Sequence, residues 1–255
     1  DCTYDISPAT TGDVIDENDN CSIGLNATYS DDLTGLIDCD NYGVIVRTWT
    51  LTDDCGNSTI KTQNIFIEPV PKVILVPQAD TLCNNESTNI SITSVTNPEF
   101  PVRFKYTIEP DYPDSVNISS GTQTGLLVTD VISDNIENIS LEAQRVLFIV
   151  TPYSVDGSNA ERCSGINDTT IVWVNPTPKI IVSTIDTVFC DSTNITFNIT
   201  SENGSIIGDK YYYLETTYTP GDILGVKPDG YYPVANFTDN LINTTNQVQT
   251  VEYRF

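Results

Sequence analysis

The feature that most constrains this chain is that it repeats itself at the scale of a domain. Pro71-Lys72-Val73-Ile74-Leu75-Val76 returns 107 residues later as Pro178-Lys179-Ile180-Ile181-Val182-Ser183, and Cys83 returns at the same offset as Cys190. Further along the offset is 105. Ser133-Asp134-Asn135-Ile136-Glu137-Asn138 matches Thr238-Asp239-Asn240-Leu241-Ile242-Asn243, and Gln144 matches Gln249. A self-match of this length means two copies of one folding unit rather than one large fold. On the same register 251–255 aligns with 146–150. The earlier copy continues through Thr151-Pro152, Cys163 and Thr170-Ile171-Val172-Trp173-Val174, for which the later copy has no counterpart. The expectation is three segments, 1–68, 69–175 and 176–255, with the last cut before its final strand and the whole a piece of something longer. Each joint carries two prolines in alternate positions, Glu68-Pro69-Val70-Pro71 and Asn175-Pro176-Thr177-Pro178. Such joints are extended and semi-rigid, whereas a flexible tether would be rich in Gly and Ser.

Within each segment, runs of four to eight residues alternate in polarity between clusters of Gly, Pro, Asn and Asp. Val44-Ile45-Val46-Arg47-Thr48-Trp49-Thr50-Leu51, Gln63-Asn64-Ile65-Phe66-Ile67 and Arg145-Val146-Leu147-Phe148-Ile149-Val150 are examples. The apolar residues are mostly Val, Ile, Tyr and Phe, which favour a pleated surface. Strands at this spacing, with no helical pattern between them, predict an all-β chain of tandem immunoglobulin-like sandwiches in an elongated array. Only 134–144 is compatible with a helical turn or two.

The charge removes several functions. With 35 acidic against 11 basic residues the net charge is −24, which repels nucleic acid and other polyanions. There is no His, so a Ser/His or Cys/His nucleophile cannot be activated, and the carboxylates fall in turn-like clusters where Asp serves the backbone. The chain is read as no enzyme. No apolar run approaches the roughly 20 residues that span a bilayer. Seven widely spaced cysteines without a C-x-x-C pair point to structural disulfides, and so to an extracellular, cell-surface location.

Arg47-Thr48-Trp49-Thr50-Leu51-Thr52-Asp53-Asp54-Cys55-Gly56-Asn57, preceded by Asp19-Asn20-Cys21, resembles the signature of hyalin-repeat-like domains in very large surface proteins of Bacteroidetes. The second and third segments resemble the polycystic-kidney-disease-like repeats of gliding-motility adhesins. The marks are Cys83 with Ser87, Phe148 with Thr151-Pro152, and Cys163-Ser164-Gly165. The resemblance implies an immunoglobulin-like fold in an adhesin stalk or filament, with no catalytic residues to carry over. Its implied partners are neighbouring domains or copies of the same long protein, and surface polysaccharide. In the residues themselves, Trp49 is expected to fill a core. Gly56 or Asn57 is expected to take positive φ in the turn that follows.

Four sets of candidate residues follow. In an immunoglobulin-like sandwich Cys21 is expected to pair with Cys55, leaving Cys2 for Cys39, and Cys83 to pair with Cys163. Cys190, by the repeat, has its partner beyond Phe255. Asp13, Asp16, Asn18, Asp19 and Asn20 gather the oxygen ligands that calcium takes, the one cofactor considered; the other reading is a solvated acidic loop. Asn-x-Ser/Thr occurs 13 times, against roughly five expected from composition, which suggests glycosylation. The candidates are Asn26, Asn57, Asn89, Asn117, Asn138, Asn194, Asn198, Asn236 and Asn243. The bacterial resemblance implies instead the Asp-Ser/Thr-apolar acceptors Thr81, Ser115 and Thr187. Last, loops 111–125 and 221–232, with Tyr211-Tyr212-Tyr213 and Tyr231-Tyr232, are candidates for gripping glycan; the other reading is strand residues with one face buried.

Overall fold

The computed structural model describes residues 4–37, 42–96 and 99–255, so Cys2 and Cys39 lie outside the described residues. The chain is all-β, with immunoglobulin-like sandwich architecture, as the alternation predicts. Each sheet draws its strands from only one of the three segments.

The first segment has a four-residue helix α1 (Pro8–Thr11) and four strands, β1 (Thr28–Asp32), β2 (Leu36–Ile37), β3 (Tyr42–Thr52) and β4 (Ser58–Ile67). Strands β1 and β2 pair in succession along one edge of β3, and β4 pairs along the other. Among the described residues this segment has one sheet. Its inner face is covered by the chain leading in, through α1, and a buried charge takes part in the covering. Arg47 is 0% exposed on the same face as Ile45 and Trp49. Its guanidinium donates to both carboxylate oxygens of Asp31 at 2.8 and 2.9 Å, to Thr11 Oγ1 at 2.8 Å and to the Ile6 carbonyl. It also lies 4.2 Å from the ring of Tyr29. That pairing holds the Asp31 carboxyl below its ordinary value. Gln63 completes the cover, accepting from Trp49 Nε1 and donating to the Thr11 carbonyl. Gly56, at φ +88°, makes the turn into β4.

The second segment is the fullest sandwich. Its strands are β5 (Ile74–Pro77), β6 (Thr81–Leu82), β7 (Glu86–Ser87), β8 (Ile90–Thr93), β9 (Val102–Pro110), β10 (Val116–Ile118), β11 (Gln123–Leu126), β12 (Val131–Ile132), β13 (Asn135–Asn138), β14 (Gln144–Val155), β15 (Glu161–Ser164) and β16 (Asp168–Val174). One sheet runs β11-β9-β14-β16-β6, with β15 also on β14. The other layer is two short ladders, β12-β8-β5 and β10-β13-β7. Between the layers Ile90, Phe104, Ile136, Val146, Phe148 and Val150 are fully buried. The two ladders break where Thr88 and Asp134 exchange bonds, Thr88 N–H to the Asp134 carbonyl and Asp134 N–H to Thr88 Oγ1, both at 2.9 Å. The Asp134 carboxylate, 0% exposed, then accepts from Tyr106 Oη in the opposite sheet at 2.7 Å. Burial, and then Asp134, push the Tyr106 phenol up to about 12. The 134–144 stretch is thus strand β13 and a turn, without helix.

The third segment has β17 (Ile180–Thr184), β18 (Thr193–Ser201), β19 (Tyr211–Thr217), β20 (Ile223–Leu224), β21 (Gly230–Pro233), β22 (Phe237–Asn243) and β23 (Glu252–Arg254). One sheet runs β17-β18-β22-β20 and the other β21-β19-β23. Phe197 stands at the centre of the core, with ring centroids of Phe237, Tyr253 and Phe255 at 4.8, 4.7 and 5.7 Å. Asp239, the repeat counterpart of Asp134, is buried and accepts from Tyr253 Oη at 2.6 Å.

Candidate functional site at the joints

In β14 the residues run from Gln144, which opposes Val174 at the close of β16, to Val155 at the other pole of the second segment. The chain comes in at the Val155 pole and leaves at the Gln144 pole, so both joints are pole-to-pole.

At the incoming joint, Glu68 tucks its carboxyl against the second segment near Phe100, with Oε1 buried and without a hydrogen-bond partner among the described residues; burial raises its pKa. The Arg162 guanidinium sits 4.0 Å over the Phe100 ring. Gly165 is needed for a close approach: a Cβ there would lie 1.8 Å from the Pro71 carbonyl oxygen.

The outgoing joint is built from backbone and amide groups. The loop after β13 forms a ledge whose shape is set by Asn138. Its Oδ1 accepts from Ser140 N–H at 3.0 Å and Ser140 Oγ at 2.7 Å, and its Nδ2 donates to the Glu142 and Val174 carbonyls at 2.8 and 2.7 Å. Gln144 Nε2 braces Ser140 Oγ at 2.9 Å. The third segment docks on this ledge with a ladder-like pair of bonds, Gly204 N–H to the Leu141 carbonyl at 2.9 Å and Ala143 N–H to the Ser205 carbonyl at 2.7 Å. Asn175 and Ile207 add a reciprocal pair, at 2.8 and 3.0 Å, and Asn84 Nδ2 donates to Thr177 Oγ1 at 2.6 Å. Asn203 is buried on the other side, accepting from Lys179 N–H and donating to the Thr177 carbonyl. Gly204 lies close under the exposed Glu142 side chain: a Cβ would come 2.6 Å from its Oε1 and 2.9 Å from its Cγ, so Glu142 would have to swing aside. A cavity of about 680 Å³, lined by Cys83, Pro176, Pro178, Ile207, Tyr212 and Phe255 among others, remains beside these contacts. The arrangement fixes direction between two sandwiches and offers no set of groups for chemistry.

The ledge occurs twice. In the third segment Asn243 Oδ1 accepts from Thr245 N–H and Oγ1, both at 2.9 Å, and Asn243 Nδ2 donates to the Gln247 carbonyl at 2.8 Å. Gln249 Nε2 braces Thr245 Oγ1 at 3.1 Å. Behind each ledge a side chain following the repeated cysteine takes the asparagine's N–H: Asn84 Oδ1 for Asn138 and Asp191 Oδ1 for Asn243.

Several sequence expectations are corrected by this geometry. Cys83 and Cys163 cannot pair. Cys83 follows β6, whose Leu82 opposes Val174 near Gln144, while Cys163 donates its N–H to Ser154 Oγ at the far end of β14. Ten residues of strand, roughly 33 Å, separate these poles, and a disulfide needs Cα atoms within about 7 Å. The Cys83 and Cys190 thiols are free and exposed, whereas Cys163 is not among the free thiols. Cys21 and Cys55 are also free and exposed, though their turns touch: Asp54 N–H donates to Ser22 Oγ at 3.2 Å.

The five calcium candidates do not converge; among the described residues no three His, Cys, Asp or Glu come together as metal ligands. Asp19 instead caps its own turn, accepting Cys21 and Ser22 N–H at 2.8 and 2.9 Å, which lowers its pKa. Asn138 is 2% exposed and cannot carry a glycan in the folded chain. Asn243, the same residue in the second ledge, is half-buried and spent on its turn. Asn26, Asn57, Asn89, Asn117, Asn194, Asn198, Asn236 and Thr187 are exposed, while Thr81 and Ser115 are half-buried. Of the tyrosines, Tyr212 is buried, Tyr232 is half-buried, and Tyr211, Tyr213 and Tyr231 face solvent. The signal that could have exposed the ledge is the shared spacing Asn-x-Ser/Thr-x-x-x-Gln, which reads equally as a sequon.

No protein family and no curated protein matches the chain by sequence. Among solved structures it is similar to FdeC, an Escherichia coli adhesin, with TM-score 0.40 and 11% identity over 85% of this chain and 73% of that one. It is also similar to domains 4–9 of the surface layer protein SbsC, with TM-score 0.28 and 10% identity over 93% of this chain and 38% of that one. The cadherin-repeat fragment PcdhgB3 EC1-4 matches with TM-score 0.31 and 8% identity over 86% of this chain and 55% of that one. At these values no residue correspondence or role passes to this chain.

Proposed function

We propose that this chain is a structural segment of a secreted, cell-surface adhesin, a stalk or filament of sandwiches fixed end to end. The observation that supports it is the outgoing joint. Paired backbone bonds, a reciprocal pair between Asn175 and Ile207, and a glycine packed close under Glu142 hold one sandwich on the pole of the next. Two prolines keep the connector extended, and like charge on all segments opposes folding back. The finer reading, a gliding-motility adhesin with one hyalin-repeat-like and two polycystic-kidney-disease-like units, rests on the signature at Arg47 to Asn57. Small-angle scattering of the chain tests the stalk: an elongated particle is expected, and a near-spherical one overturns it. In an oxidising compartment Cys21 and Cys55 would close across their touching turns, which peptide mapping reads directly.

A glycan-binding reading keeps one observation in its favour. Tyr211, Tyr213 and Tyr231 are 60%, 44% and 79% exposed on neighbouring strands, and Tyr213 and Tyr231 meet edge to face at 4.9 Å, an exposed aromatic cluster against one face of which a sugar ring can stack. Binding on a glycan array that is lost in Tyr231→Ala would establish it, and no binding would remove it.

A further inference from the structure

We infer that residues 243–249, at the far pole of the third segment, form a docking ledge for the near pole of a further unit of the same kind. The inference rests on the end-to-end reading above and names the partner at a second surface. The outgoing joint shows what such a ledge does. Its shape comes from one asparagine, a hydroxyl two residues on and a glutamine six residues on, and its grip comes from a backbone carbonyl and a backbone N–H. The third segment rebuilds the loop's own asparagine and hydroxyl bonds with Asn243, Thr245 and Gln249, without the bond that Asn138 makes to Val174. Asp191 takes the place of Asn84 behind it. By the same register its gripping groups are the Asn246 carbonyl and the Val248 N–H, counterparts of Leu141 and Ala143.

Those two groups are open. Neither Asn246 nor Val248 makes a hydrogen bond among the described residues, and the Val248 side chain is 95% exposed. Open backbone groups beside an exposed apolar side chain, on a loop ordered by six internal bonds, suit a partner that supplies backbone in return. Gln247 replaces Glu142 with a side chain of the same length and shape. A glycine in the incoming unit, as at Gly204, therefore fits closest here too. The fitting partner is a sandwich whose near pole carries a loop like Asn203-Gly204-Ser205 behind a proline-bearing connector.

Transplanting one ledge onto the other tests this within the chain as it stands. The quadruple variant Ser140→Thr, Leu141→Asn, Glu142→Gln, Ala143→Val writes the third segment's ledge into the second. Amide exchange at Gly204 reports docking, because that N–H is bonded to the ledge carbonyl. The expected result is Gly204 protection within about threefold of the unaltered chain, while Gly204→Val, which collides with Glu142, lowers protection around residues 203–207 by about a hundredfold. A transplant that exchanges like Gly204→Val, or that does not fold, overturns the inference, because the two ledges are then not interchangeable. Absence of protection at Gly204 in the unaltered chain would remove the docked joint itself, and with it the stalk reading. A protected joint with a failed transplant removes only the second ledge.

Discussion

In the second segment the buried carboxylate takes its phenol from β9, as Tyr106 to Asp134; in the third it takes it from β23, as Tyr253 to Asp239. On the repeat register Tyr253 stands where the second segment has Phe148. The cross-strand pairing then places Leu214 where the second segment has Tyr106. The two copies have kept a buried acid and a phenol to satisfy it, while the phenol has moved one strand sideways in the opposite sheet. What persists is a physical requirement: a carboxylate in a core must be hydrogen-bonded, and several positions across the sandwich can meet that need. The ledge asparagines differ the other way. Asn138 and Asn243 keep every local bond, but only Asn138 also reaches the last strand, at Val174.

These contrasts can be broken by measurement. The largest effect is expected at the acids. Asp134→Ala leaves the buried Tyr106 Oη without an acceptor, removes the bond from Ser120 N–H at the rim, and should cost about 3 kcal/mol in urea unfolding; Asp239→Ala, nearer solvent, about 2 kcal/mol. The reverse order would show that the third segment, not the second, depends on its acid. Next are the ledges: Asn138→Ala is expected to cost about 2–3 kcal/mol and Asn243→Ala about 1 kcal/mol. Equal costs would mean the Val174 bond contributes nothing. The phenol shift is tested by Tyr106→Leu, expected to cost about 2 kcal/mol. Adding Phe148→Tyr should recover about 1 kcal/mol of it by rebuilding the third segment's arrangement. If the double variant is no better than the single, the two placements are not equivalent.

The smallest effect is a pH dependence. A phenol whose folded pKa is raised contributes fully below its ordinary value near 10, and that contribution is lost as pH rises from there through about 12. Tyr253 is raised as well, by burial first and Asp239 second. Alkaline absorbance titration should therefore show phenols that ionise late, and Tyr106→Phe should remove one of them. An unchanged late fraction would mean Tyr106 is not the buried donor.

Much of the fold was legible because alternation and the repeat are local. Counting alone places Trp49 on one face with Arg47 and Leu51; Arg47 and Trp49 are buried there, Leu51 near the strand's end is half-buried, and Trp49 does fill the core of the first segment. The strand that replaced the suspected helix at 134–144 shows the limit. Asn138, Ser140 and Gln144 are polar because a turn uses them, and their spacing mimics a helical face. The same residues look like a glycan acceptor, since a sequon and this turn need the same asparagine and hydroxyl. Buried acids were hidden by composition, for Asp134 and Asp239 sit in a chain full of turn aspartates. Alternation gives the face of a strand but not its direction, so Cys83 and Cys163 were matched across poles that strand direction keeps apart.

The incoming and outgoing strands of the second segment lie side by side and point the same way. Leu75 N–H bonds the Asp168 carboxylate at the start of β16, while Trp173 and Asn175 N–H bond the Asp80 and Leu82 carbonyls in the parallel pairing at its end. A pull on the connectors at Pro71 and Asn175 drags these strands past each other along their length. Every bond between them is then strained together, in shear, and none can be peeled open before the next. In single-molecule stretching such a clamp should give way in one high-force event. A gradual, stepwise opening would show that the load passes elsewhere. Tension along the chain would thus be borne by the few bonds that tie β5 and β6 to β16, leaving the core and its buried acid unloaded until they fail.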